Sequence, residues 1–165
     1  MAATVQINET NGSAPGSETD NISTGTFRGA TDAPNLADPL DDPIAVNANS
    51  YEKWWKAEWA SGTASRLDNF RVYKSDGAVP ANTALKTSAD SGTPSDPTYA
   101  TPTTSTSTYA TNDIPTSDPG NKQIEGELNA TTESTSFVVH QVQVGASATV
   151  GDLDGEITFA WREIA

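Results

Sequence analysis

The sequence predicts an all-β chain folded as an antiparallel β-sandwich, of jelly-roll or immunoglobulin-like type. Long polar loops and an extended N-terminal region complete the picture. Three observations carry this. Several short segments alternate apolar and polar residues, long stretches between them are rich in Thr, Ser, Asp, Pro and Gly, and no stretch holds apolar residues at a sustained helical spacing.

The first alternating segment covers residues 2–8, with Val5 and Ile7 on one face and Thr4 and Gln6 on the other, the period of a half-buried strand. From Glu9 to Gly25 the run ETNGSAPGSETDNISTG has almost nothing to bury and predicts an exposed loop. FRGATDAPNLADPLDDPIAV follows, where Asp-Pro pairs forbid a regular helix and predict an extended meander over the surface.

The strongest signal is SYEKWWKAEW, then SGTASRLDNFRVYKSDG. Read as a strand, Tyr51, Lys53, Trp55, Ala57 and Trp59 share one face, and Glu52, Trp54, Lys56 and Glu58 share the other. A helix would instead stack Tyr51, Trp54, Trp55 and Glu58. The aromatic content and Gly62 favour the strand. Phe70 and Val72 alternate with Asn69, Arg71 and Tyr73 up to the turn Ser75-Asp76-Gly77, which predicts a hairpin looping near Gly62.

Residues 87–121 are dominated by Thr, Ser, Pro and Asp, with Tyr99, Tyr109 and Ile114 as isolated apolar points. That composition fits a disordered stretch, and it equally fits a segment pinned to a sheet by its aromatics. The closing region holds two further strands, FVVHQVQV and EITFAWREI, with Val138, His140, Val142 and Val144 on one face of the first and Ile157, Phe159 and Trp161 on one face of the second. The predicted core is Val5, Ile7, Trp55, Trp59, Phe70, Val72, Val142, Val144, Ile157, Phe159 and Trp161. A length of 165 residues suits one domain, read as an N-terminal strand plus extended arm over residues 1–48 and a sandwich core over residues 49–165.

Nine Lys and Arg stand against 22 Asp and Glu, and the net charge of −13 repels phosphate backbones and anionic lipid headgroups. Neither nucleic acid nor a membrane surface is an expected partner. The chain has no cysteine, which removes disulfides, thiolate metal sites and cysteine nucleophiles. MAATVQINET lacks the basic start and apolar run of a secretory signal, so the chain is expected either to be assembled inside a cell or to have lost a leader.

Catalytic equipment is sparse. His140, the single histidine, sits among valines and is read as packed in a strand, which argues against a histidine triad or zinc site. Carboxylate pairs such as Glu125 with Glu127 are read as solvated charges, and no enzymatic activity and no cofactor are expected. Asp152, Asp154 and Glu156 alternate around Gly155 as a weak calcium candidate, and Asp38, Asp41 and Asp42 form a weaker one. Because both faces of the 51–59 strand carry aromatics, Trp54 must either pack under a loop or meet another chain. Trp54, Tyr51 and Tyr73 are therefore the interface candidates, with a sugar-stacking platform as the rival reading.

The stretch NSYEKWWKAEWASGTASRLDNFRVYKSDG, residues 49–77, resembles a group of virion-associated proteins encoded by tailed viruses of bacteria and archaea, in which a YEKW strand is followed by a glycine turn and an NF strand. The likeness extends through residues 98–121 and 136–164. It implies a β-sandwich structural protein of the virion, assembled in the host cytoplasm. The expected role is a capsid decoration or cement protein bound to the major capsid protein or other virion proteins, as a homo-oligomer or symmetric array. A neck, tail or fibre protein of the same particle is the alternative, and a secreted carbohydrate-binding sandwich is a further one.

Overall fold

The alternating segments all become strands. The computed structural model describes residues 2–22, 29–33, 43–149 and 155–165. Its strands are β1 (Thr4–Asn11), β2 (Ser17–Thr19), β3 (Lys53–Ser61), β4 (Arg66–Asp76), β5 (Thr83–Thr87), β6 (Asn112–Asp113), β7 (Val138–Val144) and β8 (Glu156–Ile164). Six of them form one sheet in the order β2-β1-β3-β7-β5-β6, and β4 pairs with β8 in a second. Every strand pair is antiparallel. The chain is an antiparallel all-β sandwich.

The two sheets meet over one core. Ile7, Trp55, Ala57, Trp59, Leu85, Val138 and Val142 face inward from the large sheet, and Leu67, Phe70 and Val72 from β4, with Ile157, Phe159 and Trp161 of β8 half-buried against them. Each predicted core residue lies in this cluster, because strand alternation leaves an apolar set only one face to occupy. Leu67 and Phe70 are three apart, a spacing that strict alternation cannot bring to one face. A bulge between Asp68 and Arg71, with Asn69 at a φ of 54°, absorbs the extra residue.

The opposite face of the large sheet is also covered. Trp54 has no exposed surface and meets Tyr99, Tyr109 and Phe137 edge-on, at ring separations of 5.2, 4.9 and 5.7 Å. Ala110 and Val139 complete this second cluster. Of the two readings of residues 87–121, the structure has the pinned one. The Tyr99 hydroxyl donates to Gly12 O at 2.6 Å, Ser107 N donates to Gln141 Oε1 at 3.0 Å, and Ile114 reaches the main core. At Gly16, with a φ of 79°, a Cβ would meet the Tyr99 ring at 2.7 Å, so this turn needs glycine for the ring to seat.

Two expectations are corrected. The sequence around β3 and β4 predicts a hairpin, yet the strands lie in different sheets. Both edges of β3 are already taken, one by β1 and the other by β7 and the segment 132–135, where Trp59 N donates to Glu133 O and Thr135 N to Ala57 O. Residues 62–65 therefore carry the chain across to the second sheet. The stretch from Glu9 is likewise no exposed loop at its start: Glu9, Thr10 and Asn11 continue β1 and are buried, and Ser17–Thr19 returns as β2. Hydropathy alone misses this, because those residues are polar and their burial rests on specific partners.

Trp54→Ala is expected to cost about 3–5 kcal/mol by emptying the second cluster. It should also make residues 96–110 protease-sensitive while the main core persists. Denaturant melts combined with limited proteolysis would check both effects.

Candidate functional site

A sheet of two strands has two outer edges, and here they differ. The outer edge of β4 is occupied by residues 115–128: Lys74 N donates to Pro115 O, Val72 N to Gln123 Oε1, and Leu67 and Leu128 exchange both backbone bonds. The outer edge of β8 has no backbone partner among the described residues. β8 spans nine residues, most of them half-buried, so among the described residues it has a row of backbone groups without partners beside partly covered Ile157, Phe159 and Trp161. The edges of the large sheet are blunt by comparison, since β2 has three residues and β6 two.

The outward face of the β4–β8 sheet is polar and rigidly charged. Arg162 grips Asp68 through two bonds of 2.7 and 2.8 Å, and Arg66 approaches the same carboxylate at 3.2 Å. The hydrogen bonds from Arg162 hold the Asp68 carboxyl below its usual range against the opposing effect of burial. Arg71 does the same to Asp118, aided by Gly120 N. With Asn69, Lys122, Glu125 and Glu127, the Asp68–Arg162 pair borders an open, polar cleft of about 510 Å³. Ser75, Tyr73, Thr158 and Ala160 continue this face along the register of the two strands.

The interface candidates drawn from the sequence do not converge. Tyr73 lies half-buried on β4, on this outward face. Tyr51 lies half-buried ahead of β3, where its N–H donates to Gly29 O. Trp54 is enclosed by the chain itself and presents nothing to a partner, which also removes the central ring of the sugar-platform reading. Glu156 is exposed at the start of β8, and Asp152 and Asp154 fall outside the described residues, as do Asp38, Asp41 and Asp42. Glu18, Asp20 and Glu58 do come together near the β1–β2 hairpin, but Asn8 Nδ2 already bridges Glu18 and Glu58, and Lys56 pairs with Glu18 at 2.6 Å.

Sequence reasoning also missed a charged centre on the inner face of the large sheet. Glu9 and Lys53 are fully buried and paired at 3.2 Å, with Asn11, Trp55 and the 31–33 backbone around them. The available signal was that Lys53 shares the Trp55 face of β3. His140, opposite Lys53 in the register, is wholly buried with its ring 4.6 Å from that of Trp55. Burial pushes its pKa down to about 3; the Lys86 backbone opposes this weakly, without reaching hydrogen-bond geometry at either ring nitrogen.

Comparisons with protein-family models, curated proteins and solved structures find no match to this chain.

His140 makes stability pH-dependent. Its folded value of about 3 lies below the unfolded 6.5, so between these values the unfolded chain takes up a proton that the folded chain refuses. Stability is complete above pH 6.5 and falls as the pH drops towards 3, by at most about 1.4 kcal/mol per pH unit. Asp68 and Asp118, whose values are lowered, add losses only as the pH falls through the carboxylate range. Denaturant melts at pH values between 7 and 5 should show a decline in the native chain that is much flatter in His140→Phe.

Proposed function

We propose that this protein is a structural component of a virus particle, a decoration or cement protein that docks on the major capsid protein. The observation that carries the reading is the open edge of β8. A nine-residue strand with unpaired backbone groups and half-covered Ile157, Phe159 and Trp161 suits the addition of a strand from another chain, where main-chain bonds give affinity and side-chain pockets give specificity. Edge strands of this length are usually shortened, charged or covered in chains that stay alone. The fixed ion pairs on the adjoining face, Asp68 with Arg162 and Arg71 with Asp118, would set the register of such a contact without needing to reorganise.

The particle itself comes from the likeness of residues 49–77 to virion-associated proteins of tailed viruses. The charge of −13 fits a surface that stays hydrated and repels nucleic acid.

Capsid shells prepared without this protein should bind the purified chain in a saturable array visible by cryo-electron microscopy. Ala160→Lys, placed on the outward face of β8, should leave the melt within about 0.5 kcal/mol of the native chain and weaken shell binding at least tenfold, roughly 1.4 kcal/mol. Density confined to the neck or tail would overturn the capsid assignment. Undiminished binding by Ala160→Lys would overturn the role of β8.

A further inference from the structure

Strands β1 and β3 bring a lysine, a glutamate and an asparagine together in one buried site on the inner face of the large sheet, under residues 31–33. Lys53 and Glu9 have no exposed surface, and Asn11 is 8% exposed. Glu9 Oε1 accepts from Asn11 Nδ2 at 2.8 Å and from Lys53 Nζ at 3.2 Å, so a single carboxylate oxygen holds both nitrogens. Trp55 Nε1 donates to the other oxygen, Glu9 Oε2, at 3.2 Å and fixes the plane of the carboxylate. Lys53 Nζ is aimed further by Ala33 O at 2.7 Å and Thr31 O at 3.3 Å, and Asn11 Nδ2 reaches Asp32 Oδ1 at 3.3 Å. Asn11 Oδ1 is buried and accepts no hydrogen bond among the described residues.

An amine, a carboxamide and a carboxylate shared between them are the parts needed to exchange one amide for another. We propose that Lys53 and Asn11 become joined by an intramolecular isopeptide bond, with Glu9 carrying the protons. Glu9 Oε1, already in hydrogen-bond contact with Nζ, first takes a proton from the Lys53 ammonium, which frees the Nζ lone pair. Once the Asn11 amide turns to bring Oδ1 in place of Nδ2 against Glu9, the protonated carboxyl donates to Oδ1 and polarises the carbonyl. The Nζ lone pair attacks Asn11 Cγ, the Nζ–Cγ bond forms and the carbonyl electron pair moves to Oδ1. Collapse of this intermediate breaks the Cγ–Nδ2 bond. A second proton leaves Nζ, and the two protons pass through Glu9 to Nδ2, which departs as ammonium and leaves Glu9 as it began. No oxidant, reductant or cofactor is required, since the positioned groups replace a bimolecular encounter.

The product ties β1 to β3 and closes residues 12–52 into a covalent loop. An ordinary buried ion pair would use the same contacts, and mass separates the two. The folded chain, denatured and weighed intact, should be lighter than its unreacted sequence by about 17 Da, the mass of one ammonia. Trypsin should fail to cut after Lys53, and tandem mass spectrometry should find that residue linked to the peptide containing Asn11. Glu9→Gln, Asn11→Ala and Lys53→Met should each retain the full mass. Glu9→Gln is informative because it keeps the size of the side chain and removes the proton carrier. A folded native chain of full mass, cut normally after Lys53, overturns the proposal, and that result does not depend on any variant folding.

Discussion

Strand β3 is deprived of water on both faces and both edges, and the rest of the molecule follows from satisfying it. Trp55, Ala57 and Trp59 face one side and Trp54 the other. Two apolar faces need two covers. The β4–β8 sheet supplies the first, with Phe159 and Trp55 in ring contact at 6.4 Å. The second comes from a segment with too few apolar residues to form a layer of its own. It succeeds because Tyr99, Tyr109 and Ala110 fall on Trp54, while polar side chains satisfy the backbone that comes with them. Gln141 Nε2 donates to Ser105 O and Ser50 O, and Ser107 Oγ accepts from Tyr109 N and Ala110 N. Buried backbone must be paired, and here side chains pair it where no ladder can.

Much of this was legible in the sequence. Alternation located β1, β3, β4, β7 and β8 and sorted their inward residues correctly, because a period of two leaves no ambiguity once one face is apolar. The aromatics of β3 declared that both faces needed cover. What alternation does not encode is pairing. β3 and β4 are neighbours in the chain but belong to opposite sheets, and only the prior occupation of both β3 edges explains why. Nor does it encode bulges: Leu67, three residues from Phe70, reaches the same face only through the bulge at Asn69. β5 was missed because TALKT is short and buries only Leu85 and Thr87. Of the candidate sites, the aromatic positions were visible but their roles were not, since exposure depends on what the distant segment 95–110 covers.

The polar interior is the other feature that composition hides. A buried Lys–Glu pair gives up more hydration than an apolar pair would, and is seldom kept for stability alone. Here it sits beside Asn11 and Trp55 at one end of the sandwich, closed over by residues 31–33. At the surface the balance differs: among the described residues the β8 edge leaves backbone groups unpaired beside apolar flanks, while β2 and β6 are blunt. The interior fixes the frame, and one edge of the smaller sheet has no backbone partner among the described residues.

The claim that two-sided burial of β3 organises the chain is tested most directly by native-state hydrogen exchange on the isolated monomer. The amides of Glu52, bonded to Thr103 O, and of Ser107 and Ala110, in the cover over Trp54, report on the low-complexity segment, and Val139 reports on the sheet beneath it. The account predicts that Glu52, Ser107 and Ala110 exchange with protection approaching that of Val139, because cover and strand open together. Exchange of those three amides at unprotected rates, with Val139 still protected, would contradict it.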